Sequence, residues 1–294
     1  MSFLRPHIES IMKNRFSLTA LACAMTILVG GTLTGCATPP SQSTGYQPVM
    51  AQEGKDVIWV PTPNSLLVKM LETAQVTDKD LVYDLGAGDG KIAIEAARSF
   101  GARAVGIEFD PQMAEYARQN AKNAGVANKV KIITGDIFAE DFSQATVVTL
   151  YLLPSLNLKL YPVLINMKPG TRIVSNTFTI GSWLPDKTFY GDSGTVGHFW
   201  IVPANVQGFW RLEGVPGMDQ VSLSVVQKSQ EFHADFTPEG KAFQRIEGKL
   251  TGPQITFSYA DAQGVMQTFN GEVSGDTFTG TLKDNPSARI IGKR

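Results

Sequence analysis

From residue 81 to about residue 203, short apolar runs alternate with helical patterns, and that alternation leaves few architectures open. The runs are LVYDL, AVGIEF, VKIITGD, ATVVTLYLL and TRIVSNTF. They are apolar along most of their length rather than at every second residue, so both faces are buried. Between the first four lie GKIAIEAARSFG, DPQMAEYARQNAKNAGV and a shorter helical pattern, AEDFSQ; PSLNLKLYPVLINMKPG precedes the fifth. Asp110 reads as the cap of the second helix and Pro111 as its first residue, while Pro169-Gly170 stops the last. Strands buried on both faces and alternating with helices make a doubly wound, mostly parallel α/β sheet. Upstream, Thr62 reads as an N-cap and Pro63 as a first-turn proline of a helix with Leu66, Leu67, Met70, Leu71 and Ala74 at helical spacing.

The first run ends in DLGAGDG, a strand-to-helix turn with Gly86, Gly88 and Gly90 on alternate positions. Such a turn lets a ligand approach the backbone closely. It is not a dinucleotide fingerprint, because Lys91 stands where the third glycine of G-x-G-x-x-G belongs, and it is not a P-loop. Asp84 and Asp89 also oppose a pyrophosphate and suit a ligand end that is cationic or rich in donors. Glu108 closes the second strand, on the ligand-facing carboxyl edge of such a sheet. A carboxylate there accepts from two adjacent ribose hydroxyls. Asp136 closes the third strand in ITGDIF, placed to accept from the exocyclic amine of a base. Three acids on consecutive strand ends describe an adenosyl ligand without phosphates.

DLGAGDG, GIEFD and GDIF, in this order and spacing, resemble the first three motifs of the seven-stranded, Rossmann-like S-adenosylmethionine (SAM) dependent methyltransferases. The resemblance covers roughly residues 56–204. It implies SAM as cofactor, a loop of Asp84, Gly86, Ala87, Gly88 and Gly90 around the methionine part, Glu108 on ribose and Asp136 on adenine. A narrower set, WVPTP, DLGAGDGKIAIEAA, GIEFDP, VVTLYLLPSLN and KPGTRIVSNTF, is similar to the small protein-lysine methyltransferases of the mitochondrial inner membrane and their bacterial relatives. That implies a protein lysine as one acceptor, beside a small molecule. TLYLLPSLN ends the fourth strand, where the acceptor sits in this fold; Tyr151 and Asn157 are candidates to line its pocket and Thr62 to close it. The stretch lacks the Asp/Asn-Pro-Pro-aromatic motif of enzymes that methylate nucleobase amines.

Past about Asn205 helical periodicity stops, and short alternating segments broken by Gly, Asp and Asn follow. GKLTG at 248–252 recurs as GEVSG at 271–275. Residues 205–294 therefore read as an antiparallel β domain, a meander or small barrel. Trp200, Phe209 and Trp210 read as core. His198 and His233 lie in strand-like alternation without an acid at ligand spacing, so no metal is expected.

The N-terminus has a different character. Lys13 and Arg15 precede an apolar stretch too short to span a bilayer convincingly, which ends in Leu33-Thr34-Gly35-Cys36. The pattern resembles the lipobox of bacterial lipoproteins, which implies cleavage of residues 1–35 and lipid on Cys36. Residues 36–55, rich in Pro, Ser, Thr and Gln, read as a tether. With Thr38 and Ala37 after the cysteine and no Asp, the expected location is the outer membrane, facing the periplasm; a start at Met50 gives a cytoplasmic protein instead. Of the two cysteines, Cys23 lies in the removed stretch, which leaves the body without a disulfide. A formal net charge of −1 and no basic cluster exclude a nucleic-acid partner held by charge. Because SAM is a cytoplasmic metabolite, two functions stand side by side: a methyltransferase, or a non-catalytic envelope lipoprotein that keeps a nucleoside pocket.

Overall fold

The computed structural model describes residues 45–52 and 59–294. The expected signal peptide, Cys36 and most of the tether lie outside them. An initial helix α1 (Asn64–Thr73) leads into β1 (Leu81–Leu85), α2 (Lys91–Phe100), β2 (Arg103–Glu108), α3 (Pro111–Asn123), β3 (Val130–Thr134), β4 (Val147–Leu150), α4 (Pro154–Leu164), β5 (Arg172–Asn176), β6 (Lys187–Tyr190) and β7 (Val196–Ile201). These strands form one seven-stranded sheet in the order β3-β2-β1-β4-β5-β7-β6. β1 to β5 run parallel, and β7 is antiparallel to both β5 and β6. The sheet is thus the mostly parallel, doubly wound one expected. Strand order reverses at β1 and β4, and the crevice beyond their carboxyl ends is where such sheets bind ligands.

Each helix buries the face its pattern marks. α2 buries Ile92, Ala93, Ala96 and Ala97, and α3 buries Met113, Ala114, Ala117 and Ala121. The many alanines let both helices lie close to the sheet. Asp110 caps α3 by accepting from the backbone N–H of Gln112 and Met113, with Pro111 first in the helix. One apolar cluster fills the α1–α2–α3 face, and a second, containing Trp183 and Trp200, fills the α4 face.

Two local expectations fail. AEDFSQ forms turns, not a helix, so β3 and β4 are joined by a loop. Its Asp141 accepts from Ser143 N at 2.9 Å, a local bond that competes with helix formation. Thr62 does not cap α1; Pro63 occupies that position without a side-chain cap. The Thr62 hydroxyl is buried and faces Asn176, whose Nδ2 donates to it at 3.3 Å.

The remaining strands, β8 (Gly208–Glu213), β9 (Val221–Lys228), β10 (Glu231–Pro238), β11 (Gln244–Thr251), β12 (Gln254–Ala260), β13 (Met266–Ser274), β14 (Thr277–Leu282) and β15 (Asn285–Lys293), close into an antiparallel barrel, with β15 returning to β8. Phe232, Phe236, Phe257, Phe269 and Phe278 fill its interior. Glycines make the room: a Cβ on Gly248 would lie 2.1 Å from the Phe232 ring, and one on Gly292 2.3 Å from Phe278. Small residues opposite large ones are what a narrow barrel requires. The repeat is a hairpin repeat. GKLTG and GEVSG each end on a glycine at positive φ (Gly252, 59°; Gly275, 58°) that opens a two-residue turn. Trp200 and Trp210 are fully buried, but Phe209 points outward and is 56% exposed.

Candidate active site

A cavity of about 300 Å³ lies at the β1/β4 crevice. Asp84, Gly86, Ala87, Gly88, Glu108, Asp136 and Tyr151 all line it. The parallel register brings the acids together: Asp84 pairs with Gly106 on β2 and with Thr149 on β4, and Glu108 pairs with Thr134 on β3. β2 and β3 end level and β1 stops one residue short of them, so Asp84 in β1, Glu108 at the end of β2 and Asp136, which lies two residues beyond β3 instead of closing it as expected, open onto one crevice.

Asp84 is 2% exposed. Its Oδ1 accepts from Thr149 Oγ1 at 2.7 Å, while Oδ2 has no partner among the described residues. Burial pushes its pKa up to about 7; Thr149 opposes the rise, and nearby Asp89 and Glu108 add to it. A buried oxygen without a donor is costly, and this one could accept from a ligand that brings its own donor. Burial also raises Asp89, whose Oδ1 accepts from Lys91 N at 3.2 Å.

Glu108 has a structural part of its own. Its Oε2 accepts from Gly88 N at 2.8 Å and its Oε1 from Asp110 N at 2.9 Å, so it ties the glycine loop and the start of α3 to β2. Burial raises its pKa against these two bonds and a weaker one from the Phe109 backbone, and the Asp110 charge adds to the rise. Asp136 accepts from Phe138 N at 2.9 Å, a turn that aims its carboxylate along the cavity wall.

The glycines serve two ends. Gly86, Gly88 and Gly90 all have positive φ (77°, 53° and 79°). A Cβ on Gly88 would stand 2.6 Å from Trp59 Nε1, and one on Gly90 3.1 Å from Ala117 Cβ. Gly88 thus admits Trp59 over the loop, whereas Gly90 lets α2 pack against α3. Gly90 is the one loop glycine that does not line the cavity.

Thr62 and Tyr151 line the cavity as the sequence suggested, but most of the remaining lining was not singled out from sequence. Gln52, Trp59 and Thr62 come from the segment before α1, where Ala51 N donates to Trp59 O (2.9 Å) and Trp59 N to Gln52 O (3.0 Å). Phe109, Ile137 and Phe138 directly follow the two terminal acids and supply apolar faces for a flat ring. Their position after Glu108 and Asp136 was the signal available. Tyr151, Leu152, Leu153, Leu156 and Phe178 wall the end beyond β4. Asn157 is not in that wall. It is fully buried, and its Nδ2 donates to Phe178 O (3.4 Å) and Thr179 O (3.2 Å), pinning α4 to the loop after β5. His198 bonds Thr188 Oγ1 (3.1 Å) and Thr177 O (3.2 Å). Among the described residues no group of His, Cys, Asp and Glu is arranged to hold a metal.

A family profile for the ANTKMT methyltransferase domain matches residues 84–187. A protein-lysine N-methyltransferase of Saccharolobus islandicus is 42% identical over 144 residues, 48% of this chain and 89% of that protein. A Homo sapiens lysine N-methyltransferase, named for a component of ATP synthase, is 31% identical over 169 residues, 55% of this chain and 67% of that protein. Coverage of its Mus musculus namesake is lower: 34% identity over 108 residues spans 43% of it. Among solved structures, a Salinibacter ruber RNA methyltransferase bound to S-adenosyl-L-homocysteine is 51% identical over 50% of this chain and 96% of that one, with a TM-score of 0.49.

Proposed function

We propose, for a chain that belongs to the ANTKMT-type protein-lysine methyltransferase family, that it transfers the methyl group of SAM to the side-chain amine of a lysine in a protein. Methyl transfer is the family's reaction, and membership favours an enzyme over a non-catalytic relic. The observation that carries the cofactor assignment is the convergence of Asp84, Glu108 and Asp136, from the carboxyl ends of β1 and β2 and the turn after β3, around one cavity. The residues present fit SAM. The orphaned Asp84 Oδ2 matches the cofactor's ammonium, the cavity-lining carboxylate of Glu108 its ribose diol, and Asp136 with Ile137 and Phe138 its adenine.

When bound, SAM supplies a methyl on a sulfonium, an electrophile with a good leaving group. The chain's part is alignment, which lowers the barrier by making the encounter intramolecular. Asp84 and Asp136 would hold the two ends of the cofactor and Glu108 its middle, and the wall of Tyr151, Leu152, Leu153, Leu156 and Phe178 would receive the acceptor. A lysine arrives as an ammonium with an ordinary pKa of about 10.4 and must lose a proton before it attacks. An apolar wall disfavours the charged form, which moves that pKa down. Tyr151 and Thr62 are the lining residues that carry hydroxyls.

Calorimetry of the full chain with SAM and S-adenosyl-L-homocysteine, followed by incubation with methyl-labelled SAM and envelope proteins, tests the reading. Binding together with label on lysine side chains supports it. No binding by the folded chain removes the cofactor assignment; binding with label elsewhere removes lysine alone. The lipobox supports an envelope location through lipid on Cys36. Palmitate labelling that survives Cys36→Ser would overturn that site, and a chain that begins at Met50 would carry no label at all.

A further inference from the structure

We propose that the barrel serves methyl transfer through a clamp: the turn between β9 and β10 holds the acceptor wall of the cavity, and Gln230 is its positioning residue. This rests on the methyl-transfer reading above. Residues 177–186 join β5 to β6. Near the start, Phe178 faces the cavity; further on, Trp183 is buried. The segment begins under strain, because Thr177 is β-branched and has a φ of 63°. Such a backbone persists only where its surroundings hold it.

Part of that hold comes from within the α/β layer. Ser175 Oγ donates to Phe178 O at 2.6 Å, and Trp200 Nε1 donates to Trp183 O at 3.0 Å. The rest comes from the barrel. Ser229, at a φ of 54°, and Gln230 form the β9–β10 turn. Gln230 is 6% exposed, although hairpin turns normally face solvent. Its Oε1 accepts from Trp183 Nε1 at 2.8 Å, and its Nε2 donates to Leu184 O at 2.7 Å. Both polar ends of one buried amide are thus committed to residues 177–186 and neither to the barrel. Beside it, the Tyr161 hydroxyl lies 3.4 Å from Ser229 Oγ, and the Tyr161 ring meets Trp183 edge-on with centroids 5.9 Å apart. Tyr161 belongs to α4, whose Leu156 lines the same wall. One turn of the barrel therefore grips both elements that face the acceptor. Gln230 lies outside the cavity lining and acts through Trp183, Leu184 and the strained start of the segment.

The test uses the full chain, Gln230→Ala and Trp183→Phe, with amide exchange in the presence of S-adenosyl-L-homocysteine and kinetics on poly-L-lysine. Exchange across residues 177–186 is expected to rise by about tenfold in both variants, with β1, β2, β9 and β10 unchanged. KM for poly-L-lysine is expected to rise about fivefold while KM for SAM stays put. If Gln230→Ala loosens the barrel strands themselves, Trp183→Phe, which leaves every barrel side chain in place, decides. Unchanged exchange in residues 177–186 overturns the clamp, as does a KM for SAM that rises in step with that for poly-L-lysine. Failure of the wild-type chain to methylate poly-L-lysine counts against the lysine reading alone, and the exchange comparison then decides the clamp.

Discussion

Asp84 has one oxygen satisfied by Thr149 and one left over, with its pKa raised by burial to about 7 against an ordinary 3.8. The folded chain therefore holds this proton more tightly than the unfolded chain does. The group costs no stability below pH 3.8 and lowers it progressively as pH rises towards 7. Asp84→Asn should remove that part of the slope in thermal melts of the unliganded chain. Binding runs the other way, because a cationic ligand needs the carboxylate. SAM affinity should climb from about pH 5.5 to 7 and fall again as the ligand's own α-amino group, with a pKa of about 7.7–8.0, loses its proton. Calorimetry across that range, with Asp84→Asn giving a flat acid limb, checks the assignment. Glu108 differs, since its carboxylate already accepts from the backbone of Gly88 and Asp110. Glu108→Ala should weaken SAM binding by about 2–3 kcal/mol through lost charge-assisted bonds to the diol. An unchanged dissociation constant would take ribose away from Glu108.

The turn from β1 to α2 depends on backbone geometry as much as on its acids. Gly88 sits at a φ of 53° under Trp59, and its N–H is held by Glu108. Gly88→Ala places a methyl into the indole and forces an L-residue into the left-handed region, at a cost of about 1–2 kcal/mol. Denaturant melts should show that loss, Trp59 fluorescence should shift, and S-adenosyl-L-homocysteine should bind more weakly. The loop motif was legible in the sequence because glycines and acids at fixed offsets carry their own geometry. The partner it packs against was not: Trp59 lies 29 residues before Gly88, and nothing local links the two. AEDFSQ misled for a related reason. Six residues hold too few turns for period to outweigh local Asp and Ser bonding, and the chain made turns instead.

The α/β layer and the barrel each have their own apolar cluster, joined by a small set of specific contacts. Phe269 is fully buried in the barrel, 4.9 Å from Phe257 and 5.6 Å from Phe278 by ring centroid. Phe269→Ala should cost about 3–5 kcal/mol and lower the thermal midpoint read from the near-ultraviolet aromatic signal. At temperatures where the barrel stays folded, S-adenosyl-L-homocysteine should bind this variant as tightly as wild type, because no barrel residue lines the cavity. Loss of binding in that range would mean that the two cores are coupled more broadly than through the β9–β10 turn.

The sheet, its acids and the kind of cofactor were readable from residue order, because the carboxyl ends of parallel strands gather at one edge of the sheet whatever the loops do. Asp84, Glu108 and Asp136 needed only that rule to converge. Asn157 and Gln230 needed more. Asn157 sits near the expected acceptor position in sequence, yet its amide turns away from the cavity and bonds the backbone of the next loop. Gln230 is one of many polar residues in a β-rich tail, and its burial arises from Trp183, 47 residues earlier. A side chain's direction and its distant partners are properties of packing, so they emerge only when the two layers meet. Local pattern carries the period of a strand and the chemistry of its last residue. It carries no record of which hairpin turn will be pressed against which loop.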